Sequence, residues 1–205
     1  MYQPSKYRND DRDFIFKFIQ DHPFATVIIQ GKHLLATHIP ILVSGSAEKF
    51  RLFGHIANHN PMRGSLEENG EILVVFKGPD AYVSSSWYGS PDIPTWDYTA
   101  VHINATIHLQ TSKELENSLK QLILHFEKNS VHPLDPTKIP ESIWNENFHN
   151  ITGFWLEPFI CVGIEKLHQG FEKIIIENIV QQLNQVPDHQ EGIGELLKKK
   201  HRVSN

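Results

Sequence analysis

The stretch from Val101 to Leu109 constrains the fold of this chain more than any other, because its apolar and polar residues alternate strictly. The apolar members are Val101, Ile103, Ala105, Ile107 and Leu109, and the polar members are His102, Asn104, Thr106 and His108. Successive side chains on a β-strand point to opposite faces of a sheet, so a period of two indicates one face on a core and one on solvent or a partner. The pattern predicts a strand over 101–109.

Other apolar runs predict further strands of the same sheet. These runs are 24–30, 34–43, 50–56, 72–78 and 81–88, with turns expected at 31–32 and 79–80. Residues 153–169 predict a final strand pair, broken near Pro158 and Gly163. Pro40 cannot donate a ladder hydrogen bond, which predicts an edge strand or a bulge there.

Five segments predict helices from their caps and apolar spacing. They begin at Asp10 or Asp11 (through Ile19), at Pro61 (to Gly70), after the capping box Thr111–Glu114, at Pro140, and at residue 172 (to 200, with breaks at Pro187 and Gly192). Strands that precede helices predict an α+β fold with a mostly antiparallel sheet, and closure into a barrel would remove its edges. We expect a main domain over 1–170 and a C-terminal helical extension with a basic tail over 171–205.

Net charge, the length of the apolar runs and the cysteine content bear on the binding partners and the cellular compartment. The net charge of −5 argues against whole-surface affinity for nucleic acid or acidic lipid, and residues 198–202 are interpreted as a solvated basic tail. No run is long and apolar enough to span a bilayer, so no membrane association is expected. Cys161 is the single cysteine, which favours a reducing cytoplasm.

The usual signatures of metal sites and catalysis are missing from the sequence. His55 and His59 have helical metal-ligand spacing, but no glutamate lies between them and Pro61 places the helix start after both, so no metal site is predicted. Cys161 lies in the apolar run FICVG, as a buried small hydrophobe does. Glycine-rich dinucleotide loops, phosphate-binding loops and nucleophile elbows are not found.

Two clusters of polar and aromatic residues, GHIANHNP at 54–61 and SSSWYGSPDIPTWDY at 84–98, lie where strands should be connected. Loops on a rigid sheet often carry ligand-binding residues. The aromatic residues of the second cluster, Trp87, Tyr88, Trp96 and Tyr98, either pin the loop to the core or form a platform for a planar ring. Both interpretations remain open from the sequence.

Successive motifs of the chain resemble those of a known family. MYQPSKY, DHPFATVII, LATHIP, GHIANHNP, FKGPDAYVSSSWY and PTWDYTAVH resemble, in order, the PaiB family of FMN-binding negative transcriptional regulators. The resemblance runs from residue 1 to about 169. It implies the FMN-binding split barrel of the pyridoxamine phosphate oxidase type, a homodimer, and a flavin held at the subunit interface.

The resemblance also implies roles for particular residues. Thr37, His38 and Ile39 are expected along the flavin ring, His55, Asn58 and Asn60 near the ribityl and phosphate groups, and Gln169 back at the flavin. From the second cluster, Ser86, Trp87, Tyr88, Thr95 and Trp96 complete the predicted cofactor-binding set.

The chain departs from the family pattern at several positions. Asn58 stands where the family has Arg or Lys, Asp97 where it has Asn, and His168 where it has Ser within Lys-Leu-Ser-Gln-Asn. A phosphate gains more from a guanidinium than from a neutral amide, and His59 could replace that cation only when protonated.

Three functions remain open at this point. The first is a homodimeric FMN-binding regulator, although no basic helix-turn-helix supports direct DNA binding. The second is a flavin-dependent oxidoreductase acting on a small molecule near 87–98, in which the cofactor would perform the redox step. The third is a ligand-binding family member with weakened or lost FMN binding.

Overall fold

The computed structural model describes residues 1–185 and 192–203. The α-helices of the described chain are α1 (Arg12–Asp21), α2 (Ser112–Glu127), α3 (Glu141–Phe148), α4 (Lys173–Leu183) and α5 (Ile193–His201). Its strands are β1 (Phe24–Gln30), β2 (Leu34–Pro40), β3 (Leu42–Gly45), β4 (Phe50–Ala57), β5 (Glu71–Val83), β6 (Thr95–Leu109) and β7 (Ile151–Lys166). Short 3-10 helices cover Pro61–Ser65, Ser85–Trp87 and Pro136–Lys138.

The strands form a seven-stranded sheet in the order β2-β1-β5-β6-β7-β4-β3. The pairs β1–β2, β1–β5, β3–β4 and β4–β7 are all antiparallel. The fold class predicted from the sequence, α+β with a mostly antiparallel split barrel and flanking helices, is confirmed. None of the helices in the described residues is long and apolar enough to cross a membrane.

The chain divides into two compact units. The first unit comprises Met1–Phe18, Lys77–His102 and Val162–Asn205, and the second comprises Ile19–Phe76 and Ile103–Cys161. Strands β5, β6 and β7 therefore contribute residues to both units. The expected boundary between a main domain and an extension at residue 170 stays a prediction.

The alternation in β6 has the predicted consequence for burial. Val101, Ile103, Ala105 and Ile107 are fully buried, whereas the polar residues between them are only half-buried. The strand begins at Thr95, six residues before the predicted start at 101, so residues 95–98 belong to a strand and not to the expected loop. Thr, Trp and Tyr in this stretch are strand-favouring residues, which explains the extension.

The predicted strand 34–43 is two strands, because β2 ends at Pro40 and β3 begins at Leu42. Ile41 lies between them, is fully buried, and donates its backbone N–H to Pro23 O at 2.8 Å. The prediction that Pro40 marks an edge is confirmed, since β2 stands at one end of the strand order.

The turn predicted at residues 79–80 and the strand break predicted near Pro158 and Gly163 are both wrong. Strand β5 continues through Pro79, and β7 continues through Pro158 and Gly163. A proline removes one donor but its fixed φ suits an extended strand. Gly163 lets the backbone of Asn9 approach the strand closely, because a Cβ at position 163 would meet Asn9 O. At this point Asn9 N donates to Gly163 O at 3.0 Å. The predicted strand over 81–88 instead ends at Val83.

Most helix predictions are confirmed. The Thr111–Glu114 capping box starts α2, Pro140 precedes α3, and Gly192 breaks the tail with a φ of 115°. The helix expected from Pro61 to Gly70 is wrong in extent, because only a 3-10 turn forms over Pro61–Ser65. The break expected at Pro187 lies outside the described residues.

Candidate functional site

In the second unit, Asn60 ties the loop after β4 to strand β2. Its side-chain Oδ1 accepts from Met62 N at 2.9 Å and thereby caps the 3-10 helix that Pro61 begins. Its Nδ2 donates to Thr37 Oγ1 at 3.3 Å. The structure therefore joins two of the residues predicted from separate motifs, Thr37 and Asn60.

Asn58 is exposed, yet its side chain is already engaged by the protein. Its Nδ2 donates to the backbone oxygen of His149 at 2.9 Å, and its Oδ1 accepts from Thr152 Oγ1 at 2.6 Å. Its backbone N–H donates to Asn150 O at 2.8 Å. These bonds hold the loop that follows β4 against the segment that leads into β7.

Arg63, which the sequence reasoning missed, lies beside this loop. Its Nε donates to Thr152 Oγ1 at 2.7 Å, and its backbone N–H donates to Asn60 O at 2.9 Å. No carboxylate in the described part of the chain forms an ion pair with its guanidinium. No local sequence motif pointed to Arg63, because its partner Thr152 lies 89 positions further along the chain.

Together these side chains form a polar cluster that we call the loop-60 cluster: Thr37, Asn58, Asn60, Arg63 and Thr152. It combines a guanidinium, two hydroxyls and two carboxamides in two sets of side-chain hydrogen bonds, which the backbone bond from Arg63 N to Asn60 O joins. Hydrogen-bond donors around a positive charge suit a phosphate or another anion. The residues present therefore fit the phosphorylated end of FMN, the cofactor that the resemblance implies.

The other predicted residues of the second unit lie on β2 and β4. His38 is exposed, and its Nδ1 pairs with Thr26 Oγ1 at 2.9 Å, while Ile39 is half-buried. His55 is half-buried on β4, a strand and not a helix, and burial lowers its pKa from the ordinary value of 6.5. His55 is therefore a neutral imidazole at pH 7.

In the first unit, Ser86 and Trp87 lie in the 3-10 helix that follows β5, and Tyr88 comes directly after it. Ser86 is exposed and its Oγ pairs with Ser84 Oγ at 2.8 Å. Tyr88 is buried in the hydrophobic cluster formed with α4 and α5, and Trp87 packs against that cluster. The interpretation that aromatic residues pin this loop thus holds for Trp87 and Tyr88.

A buried chain of hydrogen bonds links Tyr88 to two of the departures from the family pattern. Tyr88 Oη pairs with His168 Nε2 at 2.8 Å, and His168 Nδ1 pairs with Asp97 Oδ2 at 2.5 Å. Burial, followed by the charge of Asp97, raises the pKa of Tyr88 to about 12. Tyr88 is therefore a neutral phenol that can donate to His168.

Lys166 lies next to this chain. Its Nζ is 3.8 Å from Asp97 Oδ1, which is buried without a hydrogen-bond partner. The same Nζ donates to Thr95 Oγ1 and to the backbone oxygen of Trp96. The ammonium thus neutralises a buried carboxylate and fixes the start of β6, where two predicted residues lie.

Trp96 is the aromatic residue of the second cluster that solvent reaches most. Its side chain is 52% exposed, its Nε1 donates to Asp80 Oδ1 at 2.8 Å, and its ring centroid lies 6.1 Å from that of Tyr82. This exposed pair fits the platform interpretation.

The side chain of Gln169 bonds to the backbone of its own turn, since its Oε1 accepts from Leu167 N at 2.8 Å and its Nε2 donates to Glu165 O at 2.5 Å.

An open cavity of about 980 Å³ runs along α4 in the first unit. Trp87, Tyr88, Asn178 and Lys198 are among its lining residues, and Asn178 Nδ2 donates to Trp87 O at 2.6 Å. Within the described residues, no group of three or more His, Cys, Asp or Glu side chains could hold a metal ion.

Comparison with known proteins shows the family of the chain. The family model described as "Putative FMN-binding domain" matches residues 1–157. The chain is 30% identical over 203 residues to "Protease synthase and sporulation protein PAI 2" of Bacillus subtilis (strain 168), covering 98% of both proteins.

Solved structures show the same fold at low sequence identity. The flavocytochrome Anf3 from Azotobacter vinelandii gives a TM-score of 0.59 at 12% identity, over 78% of this chain and 69% of that one. The FAD and heme binding protein from Mycobacterium smegmatis gives 0.58 at 15% identity, over 85% and 80%. On the family match and the full-length relative, the chain belongs to the family described as "Putative FMN-binding domain".

Proposed function

We propose that this protein is a homodimeric, FMN-binding split-barrel protein of the PaiB type that acts as a negative transcriptional regulator. The observation that carries the proposed FMN binding is the loop-60 cluster. Every member of this cluster lies within the matched residues 1–157, and the cluster offers a cation together with hydrogen-bond donors. Bound FMN would supply reversible electron transfer, while the protein binds and orients it.

The predicted site residues have separate roles in this proposal. Asn60 and Asn58 lie at the phosphorylated end, and neutral His55 adds a polar contact near the ribityl chain. Thr37, His38 and Ile39 follow the ring along β2. Ser86, Trp87, Tyr88, Thr95, Trp96 and Gln169 remain proposed contacts from the first unit, with exposed Trp96 the best placed for stacking.

A flavin titration tests the binding step. Addition of the purified protein should quench FMN fluorescence to a saturating level and shift the flavin absorption bands. Unchanged fluorescence and a colourless protein would favour the third function, a family member that has lost the flavin. Circular dichroism of the same sample shows whether the protein is folded.

The proposed regulatory role and the proposed cytoplasmic location have less direct support than FMN binding has. The family resemblance supplies the regulatory function, and the single cysteine supports a reducing cytoplasm. The candidates for phosphate contacts on DNA are the basic residues on α5, namely Lys198, Lys199 and Lys200, although Lys198 already pairs with Glu195 at 2.7 Å and Lys200 with Glu165 at 2.9 Å. A gel-shift assay should then show sequence-specific binding that weakens with salt, and the absence of any such binding would reject direct DNA binding.

The second candidate is a flavin-dependent oxidoreductase. The exposed pair of Tyr82 and Trp96 favours it, because a platform at the surface could receive a planar substrate. The solved flavocytochrome and FAD and heme binding protein show that this fold accompanies redox cofactors in other proteins. Oxidation of a nicotinamide donor by the FMN-loaded protein would support an enzyme, and no turnover across donors would support the regulator.

The homodimer is tested by mass. The chain has a mass of 23.6 kDa, so the dimer is expected at twice that value by light scattering. Leu34, an apolar side chain that is 71% exposed on the edge strand β2, supports a partner there. A mass of one chain at micromolar concentration with FMN present would contradict the dimer.

A further inference from the structure

We propose that Arg63 supplies the positive charge that binds the phosphate of FMN, in place of the family cation that Asn58 lacks. This inference rests on the proposed function and assigns one residue of that site. Arg63 lies five positions after Asn58, beyond the Asn60-Pro61 turn that begins the 3-10 helix. The turn brings its side chain to the same threonine that Asn58 contacts.

Thr152 is the shared partner that fixes this arrangement. Its Oγ1 accepts from Arg63 Nε at 2.7 Å and donates to Asn58 Oδ1 at 2.6 Å. One hydroxyl therefore orients both the neutral amide at position 58 and the guanidinium at position 63. A side chain held in this way loses less conformational entropy when it binds a ligand.

The guanidinium keeps most of its donors for a ligand. Nε is used by Thr152, whereas neither terminal nitrogen has a hydrogen-bond or ion-pair partner among the described residues. Arg63 is half-buried, so part of its charge is withdrawn from water. Two terminal nitrogens in one plane match two oxygens of a phosphate, and such charge-assisted pairs are about twice as strong as neutral hydrogen bonds.

Neighbouring groups are less suitable for this role. The side chain of Asn58 is neutral and both its ends are occupied. Arg51, another arginine of the second unit, stacks its guanidinium 4.3 Å from the ring centroid of Trp155. Arg63 is therefore the arginine that contacts both Asn60, a predicted phosphate-site residue, and Thr152 of the loop-60 cluster.

The expected consequence is selectivity for the phosphorylated flavin. Riboflavin has the same ring and ribityl chain as FMN but no phosphate. A cation that binds the phosphate contributes to FMN affinity and leaves riboflavin affinity nearly unchanged. The ratio of the two dissociation constants therefore reports on the contact itself, independently of any catalytic activity.

The experiment measures both dissociation constants by flavin fluorescence for the wild type, Arg63→Gln, Arg63→Lys and Arg51→Gln. Arg63→Gln should weaken FMN binding about tenfold or more, which corresponds to the loss of one charge-assisted contact, and change riboflavin binding by less than about twofold. Arg63→Lys should retain part of the FMN preference. Arg51→Gln is the matched control and should leave the ratio unchanged.

Other outcomes separate the failure of this inference from that of the proposed function. If Arg63→Gln weakens FMN and riboflavin equally, or weakens neither, the phosphate contact is rejected while flavin binding stands. If the wild type binds neither flavin, FMN binding itself is contradicted and the role of Arg63 with it. Circular dichroism of each variant distinguishes loss of a contact from loss of the fold.

Discussion

Asn58 is the residue whose departure from the family pattern bears most directly on the cofactor. We predict that Asn58→Arg tightens FMN binding, by about tenfold if the new guanidinium reaches the phosphate. The substitution removes bonds to His149 O and Thr152 Oγ1, so a small loss of thermal stability should accompany it. Fluorescence titration gives the dissociation constant, and Asn58→Gln is the neutral control. An unchanged constant would mean that position 58 faces away from the phosphate.

Asp97 and His168 show that two separate departures from the family pattern are neighbours in space. Their side chains are buried and paired at 2.5 Å, and His168 also contacts Tyr88. Asp97→Asn removes the negative charge from this buried pair, and His168→Ser leaves Asp97 Oδ2 buried without its partner. Each such change costs about 1–3 kcal/mol. We therefore predict that Asp97→Asn and His168→Ser each lower the free energy of unfolding by about that amount.

The double variant provides the control for this pair. Asp97→Asn combined with His168→Ser, which restores the family residues, should cost clearly less than the sum of the two single changes. Urea unfolding of the four proteins measures this coupling. Additive losses would show that the contact between Asp97 and His168 contributes nothing to stability.

His55 gives a pH dependence whose sign follows from its burial. Because burial lowers the pKa of His55 in the folded protein, the unfolded chain takes up a proton first as the pH falls through 6.5. The stability contributed by neutral His55 is therefore complete above that pH and declines as the pH falls toward the folded pKa. The free energy of unfolding should drop between pH 7.5 and pH 5.5, and drop less in His55→Gln.

Burial also lowers the pKa of His102 and His125, which act in the same direction and remain in the variant. An equal drop in the wild type and in His55→Gln would show that His55 does not contribute to the pH dependence.

Strands and helices that are marked by a short pattern of consecutive residues were predicted well from the sequence. The period-two pattern of β6 and the capping box of α2 are both visible in a few consecutive residues, and both are confirmed. The errors arose where local signals compete with sheet pairing. Pro79 and Pro158 are turn signals by themselves, yet the sheet extends through both of them.

The capping box of α2 is testable because its geometry is complete. Thr111 Oγ1 accepts from Glu114 N at 3.4 Å, and Glu114 Oε2 accepts from Thr111 N at 2.9 Å. We predict that Thr111→Ala lowers the free energy of unfolding by about 1 kcal/mol, since the cap satisfies an otherwise free backbone donor. Ser112→Ala, at the exposed first residue of the helix, is the matched control for urea unfolding. Equal losses in both variants would show that the cap is not the cause.

For the whole molecule, the sequence predicted the fold class, but it missed the side-chain network that joins Asn58 and Arg63 to Thr152. The link from Arg63 through Thr152 to Asn58 joins residues 89 and 94 positions apart. No local period or motif encodes such a contact, because it depends on how β4 and β7 pair, with Ile56 opposite Thr152. The same holds for the pair of Asp97 and His168, which is 71 positions apart.

The most direct test of the account is a parallel titration of the purified wild-type protein with FMN and with riboflavin. The account predicts saturating quenching of FMN fluorescence at one flavin per chain, and weaker binding of riboflavin because that ligand lacks the phosphate. FMN fluorescence that stays unchanged across the titration of a folded protein would contradict it.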